Sequence, residues 1–342
     1  DARLASKAIP IDDQVKEHTH KRTIDLHKRS NKELTERIIE LQKDLDAAFK
    51  IKHYSPEQLA IVADNKRSTH EAAAIAQWSD WHVDERVDPK TVNGLNKYNP
   101  DVVRKRATTL FQNTVKLTNT QRHAIDIYHL IIHLGGDSIG GYIHPELQQT
   151  NTMSPLEGIF FAKELIVNGL DFILNHGKFK RITVVTSRGN HPRLTPKMQF
   201  ANDHSMNLET FLYKALADHY RSEQRIVFHI EESELAYLDV FGKKLRFFHG
   251  HQIKFKGGIG GVTIPLYKAI HRWNETMPAF YNFMCDKHTY SQPTPDCQLN
   301  GSLKGYESFA ASHGFKYQEP LQSFTIMDSK KGMTIKAPIF CE

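Results

Sequence analysis

The sequence predicts an α/β protein, and three observations carry that prediction. Short apolar runs alternate with helical patterns from residue 72 onward. The chain, at 342 residues with 39% apolar composition, can bury a sizeable core. Each apolar run gives way at once to polar residues able to hold a metal ion. Sites in α/β sheets collect beyond the carboxyl ends of strands, so these three observations belong together.

Residues 1–70 read as a helical arm and 71–342 as the main domain. Within the arm, Ser30 and Glu33 have capping-box spacing ahead of Leu34, Ile38, Leu41 and Leu45, a narrow apolar seam. Ser55 followed by Pro56 reads as the start of a second helix. Lys16, Lys21, Arg22, Lys28 and Arg29 make the arm basic. Such runs are usually solvated faces of helices packed on a core; the other reading is an arm that contacts DNA, a second copy in a homodimer, or another partner.

The strand-like runs follow in order at 72–78, 127–134, 182–187, 245–248 and 280–284. Ser154 and Pro155 open a long helix that Gly177 stops, and another helix is expected at 208–219. The first run leads to Asp80 and His82, the second to Gly136-Asp137, and the third to Gly189-Asn190-His191. The fourth leads to His249-Gly250-His251 and the fifth to Cys285-Asp286-Lys287-His288. One such ending is commonplace, because Gly-Asp and Gly-Asn-His occur in ordinary turns. Five in series are a pattern. Carboxylates, an amide oxygen and imidazoles suit Mn, Mg, Fe or Zn, and no thiolate set points to a structural zinc. Two such ions need one carboxylate between them, and Asp137 stands in the sequence where it could bridge.

The order Asp-x-His, Gly-Asp, Gly-Asn-His, His and x-x-x-His resembles the calcineurin-like metallophosphoesterase superfamily over about residues 72 to 312. Within it the chain is most similar to phage and bacterial members related to the DNA-repair exonuclease branch. The segment Asn300-Gly301-Ser302-Leu303-Lys304-Gly305-Tyr306 looks like the one that closes such domains. The resemblance implies a four-layer αββα sandwich with a dinuclear metal site at one edge. It implies that Asp80, His82 and His288 bind a first ion, that Asp137 bridges, and that Asn190 and His249 bind a second. It implies two divalent ions, manganese foremost, that activate a hydroxide to hydrolyse a phosphodiester, with His191 as the general acid. Two departures stand out. Asp286 occupies a position where the family has histidine, and as a ligand it would harden the second site. Pro192 replaces an acid that could orient His191.

Other residues near these motifs have two readings. Arg193 could hold a phosphate. His144 and Glu146 could line a substrate groove or merely a loop. The glycine-rich loop 254–261 contributes Lys254 and Lys256 to a basic flap that could contact nucleic acid. Only one of His249 and His251 can point inward, and His249 is the expected ligand. Trp78 is expected in the core and Trp81 over the metal site.

Net charge of +6 and a pI near 9.0 favour an anionic partner such as nucleic acid. No run approaches the roughly 20 apolar residues of a membrane span, and no leader is evident. The first residue is Asp1, so an upstream segment is an open question. Cys285, Cys297 and Cys341 show no framework spacing, so the expected setting is a reducing cytoplasm, of a bacterium or a phage-infected cell. The rival functions are a phosphomonoesterase or small-nucleotide phosphodiesterase using the same ions, and a non-catalytic binding module with a decayed site.

Overall fold

A computed structural model describes residues 11–50, 70–254 and 261–342. The chain divides into two compact units, 1–65 and 66–342.

In the first unit the described residues form one helix, α1 (Ile11–Lys50). No proline or glycine interrupts it, and ion pairs such as Lys32–Glu36 at 3.9 Å sit one turn apart. Ser30 and Glu33 therefore lie inside the helix rather than at its start, which corrects the expected capping box: nothing between Ile11 and Ser30 breaks the helix. Leu34, Ile38 and Leu41 are exposed. The helix expected to begin at Ser55-Pro56 lies outside the described residues, as does Lys256.

The second unit runs, in chain order, β1 (Glu71–Trp78), α2 (Pro100–Gln121), β2 (Asp126–Leu134), α3 (Leu147–Thr150), α4 (Pro155–His176), β3 (Arg181–Thr186), α5 (Leu208–His219), β4 (Ile226–His229), β5 (Ala236–Val240), β6 (Lys243–Phe248), α6 (Thr263–Thr276), β7 (Tyr281–Met284), β8 (Ser291–Thr294), β9 (Cys297–Leu299), α7 (Ser308–Ser312), β10 (Leu321–Asp328) and β11 (Gly332–Phe340). These strands make two sheets. One has the order β11-β10-β1-β2-β3-β4, with β1 to β4 parallel; the other has the order β5-β6-β7-β9-β8, with β6, β7 and β9 parallel.

Alternation along β1 shows how the layers form. Ala72, Ala74, Ala76 and Trp78 face α2, α4 and α5, while Ala73 and Ile75 face the other sheet. There they meet Leu238, Leu245, Phe247 and Phe283. On the far side of the second sheet, Phe248, Met284 and Leu299 pack against Leu266 and Ile270 of α6. Helix, sheet, sheet, helix is the resulting stack, the four-layer sandwich that the family resemblance implied.

Local sequence sets the helix starts. Ser154 accepts from the backbone of Glu157, and Glu157 accepts in return from the backbone of Ser154, with Pro155 as the first helical residue of α4. Asn99 and Pro100 open α2 in the same way, with Asn99 accepting from Val102 N at 3.0 Å. Trp81 is buried with Trp78 and Phe111 in the helix-facing core, which corrects its expected place over the site. All three cysteines are buried and unpaired.

Candidate metal centre

Because β1, β2 and β3 are parallel and β6 and β7 run parallel to each other, their carboxyl ends deliver the polar turns to one edge of the sandwich. The turns after β1 and β2 are pinned together: Trp81 N and His82 N both donate to the carbonyl of Asp137, at 2.9 and 3.1 Å. The turns after β2 and β3 approach so closely that only glycine fits. A methyl group on Gly189 would lie 2.0 Å from Asp137 Oδ1, and one on Gly136, whose φ is +92°, would lie 2.4 Å from Gly189 N.

Asp80, His82, Asp137, Asp286 and His288 all have positive φ, between 45° and 69°, and make up five of the eight such non-glycine residues described. Left-handed backbone is costly for these side chains, and strain of this kind gathers at functional sites.

Their side chains form two merging clusters. The first joins Asp80, His82 and His288: His82 Nε2 stands 3.3 Å from His288 Nε2, and His288 Nε2 stands 3.4 Å from Asp80 Oδ1. The second joins Asp80, Asp137 and His249, with His249 Nε2 3.0 Å from Asp137 Oδ2. Asp286 reaches this second cluster, its Oδ1 lying 3.6 Å from His249 Nε2. Asn190 adds an amide oxygen that is buried and has no hydrogen-bond partner among the described residues. A buried acceptor without a donor costs free energy unless something supplies positive charge to it, and a cation would do so. These donors fit two hard or intermediate divalent ions.

Electrostatics agree with that fit. Burial would raise Asp137, but His249 and His191 beside it hold its carboxyl well below the usual range. Burial would lower His249, yet Asp137 and Asp286 keep it well above an ordinary histidine. This corner is built to hold positive charge. His82 is pushed down, mainly by burial, and so presents a neutral imidazole.

A supporting layer, not singled out from the sequence, surrounds these groups. Glu85 Oε1 stands 2.9 Å from His82 Nδ1, off the line of a good hydrogen bond, and Glu85 Oε2 accepts from Lys304 Nζ at 2.8 Å. Burial opposes charge on Glu85, but Lys304 and His82 hold its carboxyl well below the usual range. Lys304 also meets Glu307 at 2.6 Å. Glu209, at the start of α5, accepts from Ser138 N, Ser138 Oγ and Gly189 N at 2.7–2.8 Å, and so ties the turn carrying Asp137 to the turn carrying Asn190. Ser302 Oγ donates to the carbonyl of Asp80 at 2.8 Å, which gives the Asn300–Tyr306 segment a structural job.

The remaining expected residues fall as follows. His191 Nδ1 lies 2.9 Å from the carbonyl of Gly140, which orients the ring in place of the acid that Pro192 displaces. Its ring packs edge-on to His82 at 4.7 Å between centroids and 5.8 Å from His144, whose side chain is exposed. Arg193 donates to the carbonyls of Asn190 and Thr195, so much of its guanidinium holds its own turn. Arg193, Lys254, Lys287, Asn190, His251 and Asp286 line an open cavity of about 520 Å³ next to the second cluster, with Met198 and Ile253 as its apolar wall. His251 sits 3.6 Å from Glu234, and Glu146 is exposed at the start of α3.

No family model matches this sequence, and no curated protein does. Among solved structures, Vps29 from Entamoeba histolytica in complex with zinc is 11% identical, with a TM-score of 0.30 over 78% of this chain and 99% of that one. A conserved uncharacterized protein from Streptococcus pneumoniae, described as a predicted phosphoesterase, is 10% identical, with a TM-score of 0.30 over 78% and 98%. A hypothetical protein from Pyrococcus horikoshii is 9% identical, with a TM-score of 0.39 over 78% and 88%. What the site can do follows from its own side chains. Two facing sheets between helices bring Asp80, His82, Asp137, Asn190, His249, Asp286 and His288 to one edge, where they form a candidate site for two divalent ions.

Proposed function

We propose that this chain is a metal-dependent phosphodiesterase that cuts nucleic-acid backbone. The observation that carries the reading is the joining of two ligand groups, Asp80-His82-His288 and Asp80-Asp137-His249, with Asp137 Oδ2 3.0 Å from His249 Nε2. Asp80, His82, Asp137 and His288 would hold one divalent ion, manganese being the first candidate, and Asp137, Asn190, His249 and Asp286 a second. Bound there, two such ions would polarise a phosphoryl group and make water a better nucleophile.

The chain's own residues supply the rest. His191, with Nδ1–H donated to Gly140, keeps Nε2 for a proton that the leaving oxygen can take. Arg193 Nη2 has no partner among the described residues and can meet a phosphate oxygen while the rest of the group holds the turn. Lys254 and Lys287 place positive charge along the cavity, where a backbone phosphate would lie. Met198 and Ile253 offer the apolar contact that a base or sugar would use. An open, basic-lined cavity suits a polymer that passes through better than a small ester enclosed on all sides.

The test is to incubate the protein with manganese and labelled single-stranded DNA, duplex DNA, RNA and a small chromogenic phosphodiester, with Asp137→Ala alongside. Polymer cleavage that disappears in Asp137→Ala is the expected result. Cleavage of the small ester alone would move the assignment to a small-molecule phosphodiesterase. Metal binding without any cleavage would make the chain a binding module.

A further inference from the structure

The two ligand clusters differ in one respect that bears on how they fill. Asp286 is divided: Oδ1 faces His249 at 3.6 Å, while Oδ2 is hydrogen-bonded to the ammonium of its neighbour Lys287. Among the described residues the first cluster has no such companion. Lys304, which lies beside it, is bound to Glu85 and Glu307, neither of which belongs to the set Asp80, His82, Asp137 and His288.

We infer that Lys287 is a resident cation that shares Asp286 with the second metal ion, so that the two positions load in sequence and with unequal affinity. This rests on the metallophosphoesterase reading above. The argument is electrostatic. A carboxylate already paired with an ammonium offers an incoming divalent ion less attraction, and the ammonium itself repels that ion. Asp137, Asn190 and His249 must then hold the ion largely without Asp286 until Lys287 moves off. It can do so, because its side chain is 27% exposed and has water to enter. The cavity that Lys287 lines is where an anionic phosphoester would give the ammonium another partner. The second position also draws on three oxygen donors and one imidazole, against two and two for the first, so it favours manganese or magnesium over zinc.

Calorimetric titration of the chelator-stripped full chain with Mn²⁺ tests this without any activity assay. Wild type should show two events whose dissociation constants differ by at least about tenfold. Lys287→Met should tighten the second event by about tenfold and leave the first unchanged, while Lys287→Arg, which keeps the charge, should behave as wild type. Asp286→Asn should weaken the second event and leave the first unchanged. Two equal events in wild type, or a second event in Lys287→Met no tighter than in wild type, would overturn the inference while leaving a metal enzyme in place. No event in any of these proteins, each shown to be folded by circular dichroism, would overturn both this inference and the reading on which it rests.

Discussion

Gly189→Ala adds one methyl group, yet it should disable the site. The new carbon would sit 2.0 Å from Asp137 Oδ1, 2.3 Å from Asp137 N and 2.7 Å from Asp137 Cγ. Ordinary contact begins near 3.4 Å, so one of the two turns must move by about 1 Å or more. Neither turn is free to move. The carbonyl of Asp137 accepts from Trp81 N and His82 N, Ser138 N is held by Glu209, and Gly189 N donates to the same carboxyl at 2.7 Å. Overpacking of this kind costs about 1–3 kcal/mol, which a domain of this size survives. The larger effect falls on Asp137, whose carboxylate must leave its position. A displacement of about 1 Å at a reacting centre can lower turnover by about a hundredfold. Urea unfolding would measure the first effect, and Mn²⁺ titration with hydrolysis of whichever ester wild type cleaves would measure the second. A Gly189→Ala protein with wild-type metal affinity and turnover would refute the claim that these two turns set the position of the bridge.

Three other expectations follow from the same geometry. His191→Gln should keep its metal stoichiometry while kcat falls by about 10²–10⁴, as loss of a general acid requires; an unchanged kcat removes His191 from proton transfer. Lys304→Met should cost about 3–5 kcal/mol in urea unfolding, because Glu85 would be left buried, and Glu307 half-buried, without their shared cation; a loss below about 1 kcal/mol would mean the trio behaves like a surface pair. The carboxyl of Glu209 is raised by burial, and further by Asp137, from 4.5 to about 7. The folded state therefore binds a proton that the unfolded state has released, so this contribution is fully present below pH 4.5 and is lost as pH rises through 7. Thermal melts of the metal-free protein should show Glu209→Gln losing less stability than wild type between pH 4.5 and 7, and parallel curves would argue against it.

Much of the fold was legible where local signals suffice. The strands β1, β2, β3, β6 and β7 announce themselves as apolar runs, and α4 as Ser154-Pro155-Glu157. The same cap-and-proline signal stood at Asn99-Pro100, and it opens α2. Ser30-x-x-Glu33 misled because serine and glutamate are tolerated inside a helix; a start also needs a break just upstream, and none lies between Ile11 and Ser30. The antiparallel strand β10 carried no such cue, since it pairs with β1 and joins Phe324 to Ala76 across most of the domain. For the site, residue types at strand ends pointed to the ligands, because parallel strands must bring those ends together. The supporting layer was hidden for the opposite reason. Glu85 and Lys304 lie 219 residues apart, and nothing local marks a buried ion pair between them. Glu209 looks like any acidic residue in a first helical turn until Ser138 and Gly189 arrive beside it. The glycines at 136 and 189 were read as turn residues, but packing shows that they are there to let two turns touch.

Anomalous diffraction from crystals soaked in Mn²⁺ tests the central claim most directly. The account predicts two peaks about 3.5–4 Å apart, each within coordinating distance of the Asp137 carboxylate, and their joint disappearance in Asp137→Ala. A single peak, or two peaks of which either lies beyond reach of Asp137, would contradict it.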